Sequence, residues 1–365
     1  MKMKDKIVVY VFCSIILILL GSGIMYYLVT EKKLFSQTIV NKLEKEVTIN
    51  ENGIADAVEK VYDSVVVIFA YQKNATSGGT GFVYKVEGNK AYILTNAHVI
   101  ADAEKVKVKF TNNNIYDVEI VGFDKYSDIG VLAIDKDKII SVAEIGSSNN
   151  ARLGDTLFTV GSPVDADNYS WTVTRGILSG KNRLVEVNAS NYDYDDWVIR
   201  VIQTDAAINS GNSGGPIANS NGQVVGITNM KLSTYGVEGM SFAIPIEDAK
   251  EIAEGLIKNN KIERPLLGVG TININNAKVL YQYGFTIDSS ITEGAIIGKV
   301  EKDTPAEKAG LKVGDIIIKI DDYKITNRSY LKYYLYKYKI GDTINVTYLR
   351  NGKEESVKVK LTKTA

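Results

Sequence analysis

The sequence predicts a mostly-β chain, with two globular regions rich in short strands behind one long apolar helix. Three observations carry this. An uncharged run from Ile7 to Val29 stands near the N-terminus. After it come roughly a dozen short apolar or alternating runs, each closed by turn residues and without regular strand–helix alternation; that pattern argues for barrels or a sandwich over a parallel sheet. Arg264-Pro265 then marks a boundary, because the residue before a proline resists helix, and a smaller region with its own strands follows.

The bulk numbers narrow the function classes. The chain has 365 residues, 45% of them hydrophobic, enough for a sizeable core. Lys+Arg and Asp+Glu both number 43, which argues against nucleic-acid binding, whose footprint is a basic excess. Cys13 is the single cysteine, so no intramolecular disulfide and no cysteine-based zinc site can form, and folding outside the cytoplasm needs no oxidation. His98 is the single histidine, so any mechanism that needs an imidazole must use it. No residue cluster suggests a metal or organic cofactor.

Residues 1–30 read as a cytoplasmic N-terminus and a transmembrane anchor. As a helix the uncharged run spans roughly 34 Å, enough for a bilayer core of about 30 Å. Ile24-Met25-Tyr26-Tyr27-Leu28-Val29 offers no small-x-small cleavage site, so an uncleaved single span is expected over a signal peptide. Lys2, Lys4 and Lys6 precede the run, which places the N-terminus in the cytoplasm and the rest outside the cell membrane. Residues 31–51 are charged and mixed, a stem.

Residues 52–258 form the first globular region. Ser64–Ala70 is a buried-strand run, and Thr76–Gly81 a glycine-rich turn leading into Phe82-Val83-Tyr84. Ala91–Thr95 ends at Asn96-Ala97-His98-Val99. Val106–Phe110 alternates as a half-buried strand does. Val118–Val121, Ile129–Ile134, Leu157–Val160, Trp171–Ile177, Val198–Thr204, Val224–Thr228 and Ser241–Ile244 complete the strands. Asn182 to Trp197 reads as a solvated loop; its Asp193, Asp195 and Asp196 lack the spacing of a calcium loop. Ile246–Asn259 repeats its apolar residues at three and four, an amphipathic helix.

One stretch invites a chemical reading. In Asn209-Ser210-Gly211-Asn212-Ser213-Gly214-Gly215-Pro216, Gly211 permits a tight turn that aims the amides of Gly211 and Ser213 at one spot, a hole for an oxyanion. Gly214 and Gly215 leave Ser213 uncrowded. Taken alone, the stretch is also an ordinary Gly/Ser/Asn surface turn. His98 supplies the base a serine hydroxyl needs. Asp128, at the mouth of an apolar strand, supplies a carboxylate to orient it, in competition with Asp102 and Asp124. The order His, Asp, Ser is a known triad order on a β-rich background.

Thr95-Asn96-Ala97-His98-Val99, Ser127-Asp128-Ile129-Gly130-Val131-Leu132 and Gly211-Asn212-Ser213-Gly214-Gly215-Pro216 resemble the three motifs of the HtrA (Deg) family of trypsin-like serine proteases. Gln203-Thr204-Asp205-Ala206-Ala207-Ile208-Asn209 is similar as well. The resemblance implies a chymotrypsin-like double β-barrel, with His98 as general base, Asp128 as its partner and Ser213 as nucleophile. It implies an oxyanion hole from Gly211 and Ser213 with Asn212 between them. Ala207 stands where trypsin-like enzymes place a basic-residue anchor, so the pocket of Ala207, Ile208 and Met230 is expected to be apolar and to take small or medium aliphatic residues. Asn212 is no carboxylate, so activation by a newly cut N-terminus is not expected. The resemblance further implies a homotrimer that cleaves misfolded or damaged extracytoplasmic polypeptides. The loop from Asn182 and the stretch Pro163–Ser170 are expected to regulate it. The short Lys73–Gly81 loop departs from family members with a long lid. A catalytically silent, membrane-tethered adaptor or holdase is the alternative.

Residues 264–362 resemble a PDZ domain. Leu266-Leu267-Gly268-Val269 is similar to its carboxylate-binding loop, which implies capture of peptide C-termini. Thr304-Pro305-Ala306-Glu307 predicts a capped short helix with Thr304 at N-cap. Tyr330–Tyr338 falls on the expected groove helix, most of its tyrosines packing, and Ile344–Leu361 reads as a final hairpin. Asn275–Ser290 is an insertion.

Overall fold

The computed structural model describes residues 3–30, 52–162, 171–188, 196–229 and 239–364. The stem, the Pro163–Ser170 stretch, Tyr192 to Asp195, Met230 and Leu232 fall outside them. The chain divides into two units, Met1–Ile49 and Asn50–Ala365. In the first, α1 (Met3–Thr30) is one continuous helix, and its segment Val9–Leu28 is long and apolar enough to cross a bilayer; a signal sequence has the same character.

In the second unit, strands β1 (Val65–Tyr71), β2 (Thr76–Glu87), β3 (Lys90–Thr95), β4 (Lys105–Lys109), β5 (Ile115–Asp124) and β6 (Ile129–Asp135) close a barrel in the order β1-β2-β3-β6-β5-β4. Strands β7 (Thr156–Gly161), β8 (Thr172–Val187), β9 (Trp197–Thr204), β10 (Pro216–Asn219), β11 (Val224–Thr228) and β12 (Ser241–Pro245) close a second, ordered β10-β11-β12-β9-β8-β7. Alternation explains most of these strands. In β4, Val106 and Val108 point into the core while the three lysines face out. Helix α2 (Asn52–Tyr62), which the strand pattern did not announce, seals one side with Ala57 and Val61 against Phe158 and Val160. Phe82, Leu94, Ile129 and Val131 of one barrel pack with Ile199, Phe242 and Ile244 of the other, and α4 (Ile246–Asn259) lays Ala249, Ala253 and Leu256 over the seam.

Two expectations are corrected here. Thr76–Gly81 is strand and not turn: it pairs with β1 along its length. Its glycines serve close approach. A Cβ on Gly79 would stand 2.8 Å from Val99 and 3.2 Å from the Ser213 carbonyl; one on Gly81 would stand 2.9 Å from Ile68, Ile93 and the Leu94 carbonyl. The loop from Asn182 is also shorter than expected, because Arg183–Val187 pairs with β9. Asp196 and Trp197 are buried at its far end, away from solvent.

Beyond Pro265, β13 (Val269–Asn273), β14 (Ala295–Val300), β15 (Ile316–Ile320), β17 (Thr343–Arg350) and β18 (Lys353–Lys360) form a sheet in the order β13-β14-β15-β17-β18, with the short β16 (Tyr323–Lys324) on β15. Helix α7 (Arg328–Leu335) buries Leu331 and Leu335 on it, and the chain after β14 turns through α6 (Pro305–Lys308). The insertion forms α5 (Ala277–Gln282), whose Leu280 covers Ile296 and Ile316. Thr304 does sit at the N-cap of α6, but its hydroxyl donates to the Glu301 carbonyl, and Glu307 accepts from the Asp303 amide instead.

Candidate active site

His98 rides on α3 (Ala97–Ile100), a single turn directly after β3. Asp128 stands in the turn between β5 and β6, with φ +55, a conformation that aspartate tolerates better than most side chains. Four hydrogen bonds tie the two segments. Ala97 N and Asn96 Nδ2 donate to the Asp128 carbonyl at 3.1 and 3.0 Å. His98 N donates to Asp128 Oδ1 at 2.9 Å, and His98 Nδ1 lies 2.7 Å from Oδ2. An ionised carboxylate only accepts, so the proton sits on Nδ1 and the Nε2 lone pair is left to act as base. Asn229, buried just past β11, donates its Nδ2 to the same Oδ2 at 2.7 Å.

The competing carboxylates lie elsewhere. Asp102 is exposed on the turn after α3. Asp124 ends β5 and is buried in an ion pair with Arg264. Asp205 turns toward β8, accepting from Ile177 N at 2.6 Å.

Ser213 lies on the turn between β9 and β10, largely buried, and its carbonyl accepts from Thr80 N at 2.9 Å. The turn presses against the histidine segment. Gly214 has φ +85, and a Cβ there would stand 2.3 Å from the Thr80 carbonyl and Thr95 Oγ1 and 2.9 Å from Asn96 N. Only glycine permits both the conformation and the contact. Asn212 is fully buried against Gly161, and neither of its amide atoms has a hydrogen-bond partner among the described residues. Ile208 is buried; Ala207 is exposed, its carbonyl accepting from Thr174 Oγ1 at 2.7 Å.

At the other end, Leu266-Leu267-Gly268-Val269 precedes the edge strand β13. Leu267 O accepts from Ala306 N and Gly268 O from Glu301 N, both at 2.9 Å. Trans peptide geometry then turns the amides of Gly268 and Val269 the opposite way.

Known proteins match this arrangement. The family model of a trypsin-like peptidase domain matches residues 79–227, and that of a PDZ domain residues 265–361. The serine protease Do-like HtrA of Bacillus subtilis is 41% identical over 332 residues, covering 86% of this chain and 73% of that protein. The chain belongs to the HtrA family of trypsin-like serine proteases. It is a serine endopeptidase with a PDZ domain. The Do-like HtrB of the same organism is 36% identical, covering 86% of this chain and 72% of that protein. Among solved structures, a serine endoprotease from Yersinia pestis is 32% identical with TM-score 0.64, over 87% of this chain and 99% of that one. The HtrA-type protease AlgW with a decapeptide is 26% identical with TM-score 0.65, over 85% and 98%.

Sequence reasoning missed the residues that support this site. Thr80, Asn229 and Arg264 carry no motif signal of their own. Thr80 at least sat inside a glycine run that had to be explained.

Proposed function

We propose that this HtrA-family protease is a membrane-anchored enzyme of protein quality control, and that His98, Asp128 and Ser213 are its triad. The observation that carries the reading is the 2.7 Å contact of His98 Nδ1 with Asp128 Oδ2. With Nδ1 so held, Nε2 takes the Ser213 proton as Oγ attacks the substrate carbonyl. The amides of Gly211 and Ser213 hold the oxyanion, His98 then protonates the leaving amine, and water releases the acyl group by the reverse route. Ala207 and Ile208 line an apolar pocket for small or medium aliphatic residues. Asp205 bonded to β8 fits a pocket without a basic-residue anchor.

The helix Val9–Leu28 anchors the chain, with the N-terminus cytoplasmic and the remainder outside; the enzyme works as a homotrimer on unfolded polypeptides. The PDZ domain takes peptide C-termini at Leu266–Val269. Supporting this are the pinned carbonyls of Leu267 and Gly268 and the free edge of β13, which suits strand addition; AlgW carries a decapeptide. Peptide binding there regulates cleavage. Helix α7 and Tyr336 lie against the protease barrels, with Tyr336 5.2 Å from Trp197 and 6.1 Å from Tyr126.

The full-length protein is tested with unfolded casein, alone and with C-terminal peptides, beside a Ser213→Ala variant. Cleavage by the wild type and none by the variant is expected. Equal cleavage by both, or an intact substrate in every condition, rejects the reading.

A further inference from the structure

Two threonine hydroxyls, one from each barrel, reach the turn of Ser213. Thr80, on β2 of the first barrel, donates Oγ1 to the Gly211 carbonyl at 2.7 Å. The same oxygen accepts from Ser162 N at 3.1 Å, which directs its proton to Gly211. Thr228, at the end of β11 in the second barrel, has Oγ1 2.5 Å from the Asn212 carbonyl and 3.1 Å from the Gly215 carbonyl, and its one proton goes to the shorter contact, Asn212. Both threonines are fully buried.

These contacts act on two successive peptide planes. The Gly211–Asn212 plane is held at both ends, its carbonyl by Thr80 and its N–H by the Asn209 carbonyl at 3.0 Å. In the Asn212–Ser213 plane the carbonyl also accepts from Gly215 N at 3.0 Å. A trans peptide sets its N–H opposite its carbonyl. Fixing the Asn212 carbonyl therefore fixes the direction of the Ser213 amide. Among the described residues the Asn212 side chain finds no hydrogen-bond partner, and the polar restraint seen on this residue comes through its backbone.

We propose that Thr80 and Thr228 are positioning residues for the oxyanion hole, a hydroxyl clamp in which Thr228 holds the plane that aims the Ser213 amide at the developing oxyanion, and Thr80 holds the plane before it, between the Gly211 and Ser213 donors. The inference rests on Ser213 being the nucleophile. Neither threonine touches substrate. Each acts through a backbone plane, and one comes from each barrel, so the hole is complete only when the barrels are joined.

The test uses the full-length protein with Thr80→Val, Thr228→Val, Thr80→Ser, Thr228→Ser and Ser213→Ala. The probes are a quenched-fluorescent peptide with valine before the scissile bond, and a peptide aldehyde of the same sequence, whose adduct places an oxygen in the hole. Each valine variant is expected to lose roughly 10- to 100-fold in kcat, less than or equal to the loss of one oxyanion donor. KM stays within about twofold, aldehyde inhibition weakens by the same factor as kcat, and the serine variants return to near wild type. Assays run below each variant's melting temperature, with alanine replacing valine where valine does not fold. Valine variants that match the wild type, or that lose only through KM, overturn the clamp. So does a serine variant as impaired as its valine counterpart. Hydrolysis retained by Ser213→Ala means the triad reading has failed; an inert Ser213→Ala beside unimpaired valine variants means the clamp alone has failed.

Discussion

Arg264 grips Asp124 through two parallel hydrogen bonds, Nη1 to Oδ1 and Nη2 to Oδ2, each 2.7 Å long. Both side chains are nearly out of solvent, at 12% and 7% exposure. The guanidinium lies 5.2 Å from the ring centres of Tyr126 and of Tyr336, the latter just past α7. Asp124 Oδ2 also accepts from Ser127 N and Oγ, at 2.8 and 2.6 Å. The residue that opens the PDZ region thus anchors the turn that presents Asp128.

Arg264→Ala leaves a buried carboxylate without its cation, which costs about 3–5 kcal/mol. A clear fall in melting temperature is expected, together with reduced kcat at temperatures where the variant is folded. Arg264→Lys recovers only part, because an ammonium cannot make the two-pronged contact. Thermal unfolding and casein cleavage, measured together, check both.

Asn229 is expected to hold Asp128 for catalysis. Its Oδ1 is buried without a partner among the described residues, yet turning the amide over would set that oxygen against Asp128 Oδ2. Asn229→Ala removes a hydrogen bond to a charged group, worth about 1.5–3 kcal/mol, so kcat falls roughly 10- to 100-fold. Asn229→Asp places a second carboxylate against the first and is expected to lose more at pH 7. Steady-state kinetics separating kcat from KM decide whether the loss lies in chemistry.

Gly214→Ala meets the Thr80 carbonyl and Thr95 Oγ1 at 2.3 Å in a left-handed conformation. The strained backbone alone costs about 1–3 kcal/mol, and the clash adds to it. Loss of activity with a lowered melting temperature is expected, whereas Gly88→Ala, with φ +61 but nothing within 4 Å, is expected to cost less and to keep activity.

Glu247 opens α4 and accepts from Ser147 Oγ at 2.7 Å, Ser148 Oγ at 2.5 Å and Asn149 N at 3.3 Å. Burial pushes its carboxyl up, but the two serine hydroxyls and the backbone amides outweigh it and hold the group below its usual value. A depressed carboxyl stabilises the fold above the ordinary glutamate pKa of about 4.3, and that contribution disappears as pH falls through the lower folded value. Glu247→Gln should therefore unfold more readily than the wild type at pH 7, with the gap narrowing below pH about 4. A gap that widens in acid contradicts this.

Much of this protein was readable in advance where the signal is local. Period-two runs announced most of the strands, and three-and-four spacing announced α4 from Ile246 to Asn259. The final PDZ hairpin appeared within Ile344–Leu361 as expected, turning at Asn351-Gly352. The glycine run at 76–81 misled because a glycine needed for close approach looks the same in sequence as one needed for a turn. Only the neighbours Val99, Ile93 and Ser213, brought in from a helix, another strand and a distant turn, tell them apart.

The sequence by itself determined the fold class, the one imidazole available and the serine in its glycine frame. These follow from residue type and short-range spacing. The motif resemblance named Asp128 as the partner of His98, but only the tertiary structure showed the contact and why Asp124 does not compete, being claimed by Arg264, 140 positions away. It alone brought Asn229 to Asp128 across 101 positions and Thr80 to the Gly211 carbonyl across 131. Hydrogen bonds of about 3 Å between such distant residues depend on how two barrels close and seat against each other, and side-chain periodicity along a single strand carries no record of that.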